Sequence, residues 1–268
     1  RDISVDDYLA AGIQVYNDRA GDGNLNNFSA MLSVAYHKYL GTAGRSALSV
    51  GLQGGYMSKS LDLSRLYFGD EYFNGSWSQG TSAEFANLTG GIQSFVVNGG
   101  IGYSQSIGTR SGFTIGAGVN NINQPLESID NRNRTSDVNL KMRYTGQLGA
   151  IIGVNESFSI RPAVLFQSQA NTAELVGGAE FNLKMGDDPT LPTAPGIFLG
   201  GWYRHTDAVM VTAGVEFNGF KIGVGYDVTI SQYNGANNGN GGLELMVRYI
   251  APSPLSFARQ LLYPCGRF

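Results

Sequence analysis

Charged side chains in the second half of the chain fall at positions that a period of two would gather on one side. They are Arg161, Glu180, Glu216, Lys221, Asp227, Glu244 and Arg248, with Glu174, Lys184 and Arg204 in the same phase. Both signs are present in near balance. Such a set can pair across neighbouring strands and stiffen a wall, or it can line a polar passage that accepts a peptide segment. Strand adjacency leads one to expect Lys221 near Glu216 and Asp227 near Arg248. Residues suited to catalysis are scarce. His37 and His205 are the only histidines and lie on separate predicted strands, so the paired spacing of a zinc site is missing. His205 beside Thr206 and Asp207 is the nearest approach to a hydrolytic set, and a strand-end turn accounts for it. Gly99-Gly100-Ile101-Gly102 imitates a phosphate loop without the following helix or the Lys-Ser/Thr pair. Asp62, Asp70, Glu71 and Glu84 could attract calcium but lack the regular spacing of a ligand loop, and a solvated loop explains them as well. The expectation is a protein that is not an enzyme and takes no cofactor or metal.

The elements that must carry these side chains are strands. Leu48, Val50, Leu52, Gly54 and Tyr56 alternate with Ser49, Gly51, Gln53 and Gly55. Phe113, Ile115, Ala117 and Val119 alternate with Thr114, Gly116, Gly118 and Asn120. Val224, Tyr226 and Val228 are in phase with Phe220 and Ile222 and oppose Lys221 and Asp227; Leu243, Leu245 and Val247 oppose Glu244 and Arg248. A helix would scatter these apolar residues, whereas a period of two collects them on one side. Strands are predicted near 8–16, 28–37, 46–57, 95–107, 111–120, 142–153, 157–167, 174–185, 196–205, 208–217, 219–231 and 241–250. That is about twelve strands of roughly ten residues, the length a tilted strand needs to cross a bilayer. A soluble sandwich would use shorter strands and need no apolar outer face.

Composition agrees with this. Only 15% of residues are charged, while Gly 38, Tyr 14 and Phe 14 supply small and aromatic wall residues. The longest apolar pieces, 95–97 and 149–154, are far short of the ~18 residues of a membrane helix. A formal net charge of −3 and the lack of a basic stripe exclude nucleic acid as an expected partner. The single cysteine, Cys265, excludes an internal disulfide framework and is a free thiol, an interchain partner or incidental. The fold expected is an all-β, antiparallel up-and-down transmembrane barrel over 1–251, followed by a periplasmic tail at 252–268.

Connections alternate in length. Segments 58–94, 121–141 and 232–240 are long and polar, whereas Asn155-Glu156 and Asn218-Gly219 are tight, the latter a strong hairpin signal. Barrels of the outer membrane put long loops outside and short turns in the periplasm, which would leave the C-terminus inside. The 184–195 segment, with Pro189, Pro192 and Pro195, fits this alternation least well. Loop 58–94 carries Leu66, Tyr67, Phe68, Tyr72, Phe73 and Trp77, an aromatic density suited either to anchoring a protein partner or to plugging the barrel. Loop 121–141 adds Arg132 and Arg134, donors suited to a carboxylate-bearing partner. Lipid and lipopolysaccharide are the expected contacts of the apolar face. Tyr16, Tyr36, Tyr103, Tyr144, Tyr203 and Tyr249 are expected in the interfacial girdles.

Several short stretches, in their order and spacing, carry a family resemblance. They are Gly12-Ile13-Gln14-Val15-Tyr16-Asn17-Asp18-Arg19-Ala20-Gly21, Leu63-Ser64-Arg65-Leu66-Tyr67-Phe68-Gly69-Asp70 and Asn123-Gln124-Pro125. Gly200-Gly201-Trp202-Tyr203-Arg204 with Asp207-Ala208 follows, then Gly223-Val224-Gly225-Tyr226-Asp227-Val228 and Gly241-Gly242-Leu243-Glu244-Leu245. The tail Pro264-Cys265-Gly266-Arg267-Phe268 completes the set. On these residues the chain resembles the PorP/SprF family of type IX secretion outer-membrane proteins along almost its whole length. The resemblance implies a non-enzymatic role in secreting a surface protein, such as a gliding adhesin, or in holding it through its C-terminal domain, with other secretion components as partners. A porin-like or fatty-acid-transporter-like channel is the alternative. Family members begin with a signal peptide, an Asn-Pro-Ala motif and about two further strands, so the resemblance implies a chain incomplete at its N-terminus and a full barrel of about fourteen strands. Gly266 stands where a proline is usual.

Overall fold

A computed structural model describes residues 7–40, 45–130, 132, 139–186, 194–232, 235 and 240–251. Twelve long strands make one sheet: β1 (Tyr8–Ala20), β2 (Leu25–Leu40), β3 (Ser46–Ser60), β6 (Gly91–Ile107), β7 (Ser111–Asn120), β8 (Arg143–Gly153), β9 (Phe158–Gln169), β10 (Thr172–Lys184), β11 (Gly196–Arg204), β12 (Ala208–Phe217), β13 (Phe220–Thr229) and β14 (Asn240–Tyr249). Between β3 and β6 a miniature hairpin, β4 (Tyr72–Phe73) and β5 (Ser76–Trp77), is flanked by short 3-10 turns. Each long strand pairs antiparallel with its neighbours in sequence, so the topology is up-and-down throughout, as the alternation predicts. β1 and β14 end the order and are not paired with each other. They run in opposite directions, the relation that an up-and-down barrel requires at its seam.

The strands β2, β3 and β6 outrun their predicted limits. Ser60, Lys59 and Ser58 look like loop residues in the sequence, yet they pair with Asn26, Asn27 and Phe28 on one side and with Gly91, Ile92 and Gln93 on the other. Here the ladder of backbone hydrogen bonds outweighs local polarity, because an unpaired backbone group is more costly than an exposed serine. Turn chemistry closes the hairpins. Asn218 and Gly219 both have positive φ, 47° and 83°, which matches the twist of the flanking strands. The loops between β3 and β6, β7 and β8, and β13 and β14 emerge at one end of the sheet, but 21–24, 170–171 and 205–207 at that same end are tight, and the long 185–195 connection is at the other end. The alternation of loop length is therefore only partial.

Register fixes the two faces. One cross-strand row reads Leu48, Tyr103, Ile115, Leu148, Val164, Gly177, Tyr203, Val209 and Val228. The row on the opposite face reads His37, Ser49, Gly102, Gly116, Gln147, Leu165, Val176, Arg204 and Ala208. The first face leaves Leu52, Leu148, Leu199, Val224 and Leu245 exposed in a continuous apolar field. The second is mixed and polar, and the few buried side chains of the sheet, Phe198, Asn182 and Lys221 among them, lie on it. Tyr36, Tyr103, Tyr144, Tyr203 and Tyr249 belong to the apolar face. Tyr16 does not: it pairs with Ser29 and through it with Met57, in phase with Ser49 and Gln53. Ile13 and Val15 already occupy the apolar phase of β1, so the residue between Val15 and Asn17 must point the other way.

If the apolar field meets lipid, Leu148→Arg should weaken folding into phospholipid vesicles by about 2–4 kcal/mol, whereas Gln147→Arg on the opposite face should leave it nearly unchanged. Denaturant unfolding of the two variants in vesicles measures the difference.

Candidate functional site

On the polar face, the charges of β9, β10, β12 and β13 meet in one cluster. Lys221 Nζ lies 2.5 Å and 2.6 Å from the two oxygens of Glu180 and 3.3 Å from Glu216. Arg161 reaches both carboxylates at 3.3 Å, and Asn182 donates to Glu180 at 2.6 Å. Glu180 and Lys221 are three strands apart, as are Arg161 and Glu216. On a flat sheet three spacings of about 4.8 Å would separate their backbones by roughly 14 Å, so the contacts require a curved sheet with this face concave.

Glycine makes the inside of that curve. Phe198 on β11 is buried, and its ring lies where a Cβ on Gly214 or Gly223 would fall, 2.7 Å and 2.6 Å away. The ammonium of Lys221 sits 3.9 Å from the centre of the same ring. With Lys221 only 5% exposed, two cations, two carboxylates and a π-face are packed into one largely buried contact. A second group forms around Arg204, with Glu174 at 3.4 Å, Asp207 at 3.1 Å and Asp227 at 4.0 Å.

Adjacency alone misplaces one pair. Lys221 does meet Glu216, but Arg248 lies opposite Lys221 in the register and Asp227 lies opposite Met210, so Asp227 and Arg248 are far apart along the strand. Antiparallel strands joined by a hairpin pair residues at equal distances from the turn, and these two are not. Glu244 faces Gly225. Neither Glu244 nor Arg248 has an ion-pair partner among the described residues.

The middle of the other half of this face carries amides in place of charges. Gln53 donates to Gln14 and Ser33, Asn98 donates to Gln53, and the amide of Asn121 donates to Asn98. This amide chain binds β1, β2, β3 and β6 together. The alternation places Gln53 and Asn98 on the polar face, directly opposite each other across the β3–β6 ladder. His37 Nδ1 is 2.7 Å from Ser49 Oγ, with Tyr8 stacked on the imidazole. Only the β2–β3 register brings this pair together, and no acid completes it among the described residues.

The long loops are built rather than loose. Glu71 is 1% exposed, and its carboxylate accepts from the amides of Phe68, Gly80, Thr81 and Ser82. Asp70 accepts from Ser82 and Ala83, and Asp62 caps the turn at Ser64, which holds its carboxyl below the usual range. Glu84 pairs with Arg132, so Asp62 and Glu84 serve contacts of their own while Asp70 and Glu71 share Ser82. Among the described residues no group of three metal-ligating side chains occurs. The second loop docks on the first. Lys59 pairs with Glu127 at 2.5 Å, Thr89 bonds Ile129, and Arg132 bridges Asp130 and Glu84. Asn123 takes the place of a strand, accepting from Val97 N–H and donating to Phe95 C=O where β6 extends beyond β7.

This frame sorts the loop aromatics. Phe68 turns inward onto Phe85, and Leu66 packs against Gly23. Tyr67 and Tyr72 each contact Trp77 yet all three stay more than half exposed, and Phe73 beside them is 72% exposed. Arg132 is committed to its loop partners; Arg134 and Cys265 lie outside the described residues. Glu180→Gln should destabilise the fold by about 3–5 kcal/mol, because it leaves Lys221 buried beside one fewer carboxylate, whereas Glu244→Gln should change little. Urea unfolding of the two variants tests this.

Compared with known families, residues 2–249 match the model described as type IX secretion system membrane protein PorP/SprF. No curated protein gives a significant match.

Proposed function

The chain belongs to the PorP/SprF family of type IX secretion system membrane proteins, and we propose that it spans the outer membrane as a β-barrel and holds or exports a secreted surface protein. The apolar face meets the bilayer and its lipopolysaccharide, the charged face lines the interior, and the loops between β3 and β6 and between β7 and β8 face outward. The partner is a surface protein or adhesin recognised through its C-terminal domain, with other secretion components acting alongside.

One observation carries the choice of contact site. Tyr67, Tyr72, Phe73 and Trp77 remain exposed on a loop whose backbone is fixed by the buried Glu71 carboxylate. Aromatic groups held rigidly in water supply large contact area at low ordering cost, which is what protein interfaces use as anchors. Leu66 and Phe68 support the frame from within, and Arg132 braces the second loop against the first.

Removal of the whole loop tip would delete Glu71 and collapse the frame, so side-chain replacement is the sharper test. The triple variant Tyr72→Ser, Phe73→Ser, Trp77→Ser should release the secreted partner from the cell surface without lowering barrel abundance in the outer membrane. Quantitative mass spectrometry of the surface fraction reads both. Full retention of the partner by this variant would contradict the loop assignment and move the contact to the interior or the periplasmic end.

A further inference from the structure

The interior-side face of an outer-membrane barrel is ordinarily polar. Here β8 to β14 break that pattern. Leu165, Val176, Phe198, Trp202, Met210 and Met246 line a cavity of about 430 Å³ on the charged face. Its volume lies within the range of about 300–1,000 Å³ typical of small-molecule sites, and its wall combines apolar bulk with a few polar groups, as such sites do. Arg161, Glu180, Lys221 and Arg248 complete the wall.

The charge of this wall is not balanced. Arg161 and Lys221 are matched by Glu180 and Glu216 through contacts of 2.5–3.3 Å. Arg248 is left over. It stands directly across the β13–β14 ladder from Lys221, whose own charge is already met by Glu180 and Glu216, so among the described residues no carboxylate pairs with Arg248. Glu244, the carboxylate on the same strand, lies opposite Gly225 and makes no ion pair among the described residues. A second buried donor points the same way: Arg161 Nε has no acceptor among the described residues. An apolar cavity with one surplus cation and a spare N–H donor is complementary to a molecule with one anionic group and a hydrocarbon body.

We propose that this cavity binds a single-chain amphiphile bearing one carboxylate. The carboxylate meets Arg248, and the chain lies against Phe198, Trp202, Met210 and Met246. The site is independent of the exposed loop aromatics, so it stands or falls separately from retention of a surface protein.

The chain has two tryptophans, Trp77 on the loop and Trp202 in the cavity. Trp77→Phe in the full chain, purified and transferred to an amphipathic polymer, leaves Trp202 as the reporter. Titration with 9,10-dibromostearate should then quench its fluorescence saturably. Arg248→Gln should weaken this binding about tenfold, with partial recovery in Arg248→Lys, because one charge-assisted contact is lost and then restored. The corresponding dibrominated alcohol should bind the parent protein about tenfold less tightly than the acid and be indifferent to Arg248→Gln. Equal affinity for acid and alcohol, or the absence of saturable quenching of Trp202, would overturn the proposal. Saturable quenching of Trp202 by an apolar peptide carrying a bromine label and a free C-terminal carboxylate, in a protein that ignores the fatty acid, would assign the cavity to a polypeptide instead.

Discussion

Everything in this structure depends on the pairing register of the sheet. Side chains alternate with a period of two, so a shift of one residue in any strand would carry Lys221 or Arg161 to the apolar face and Val224 or Val164 to the charged one. In a bilayer the same slip would place a cation among acyl chains. The backbone adds a second constraint, since strands in hydrocarbon must satisfy every N–H and C=O from their neighbours. Together these two conditions explain the long ladders, which among the described residues shift register only between Tyr226 and Val228 in the β13–β14 pair. They also explain why polar residues such as Lys59 and Ser60 are drawn into strands.

The charged cluster is best understood as a consequence of curvature. Glycine at 214 and 223 lets the sheet bend around Phe198, and the bend brings side chains from strands three apart into contact. Once gathered, the charges are held by mutual pairing at a largely buried site. Removing one member is costly, although replacing the whole set with apolar residues need not be. Such a set therefore argues for geometry fixed in one arrangement more than for raw stability.

Much of the fold was legible from alternation alone. The Leu48–Tyr56 and Phe220–Ile230 stretches announce strands because no other element aligns their apolar residues. Tyr16 shows the limit: its aromatic character suggests a membrane girdle, while its phase relative to Ile13 and Val15 assigns it to the other face. The pairing of Arg248 with the position of Lys221 was likewise hidden, because it follows from the strand offset and not from the order of charges. The loop frame was least legible. Glu71 reads as one more acidic loop residue until the turn at Gly80 adds three backbone amides to the local one that its carboxylate accepts from Phe68. No spacing rule signals a contact that depends on how an irregular chain doubles back.

The central claim is that the apolar face meets lipid while the charged face is enclosed, and spin-label scanning along β8 tests it most directly. With Cys265 replaced by serine, single cysteines from 143 to 153 would carry a nitroxide in the membrane-inserted protein, and collision rates with oxygen and with a water-soluble nickel chelate would be compared. Lipid contact on the apolar face requires a period of two, with oxygen preferred at 144, 146, 148, 150 and 152, the positions in phase with Leu148. An alternation in the opposite phase, or the same accessibility at neighbouring positions, would contradict it.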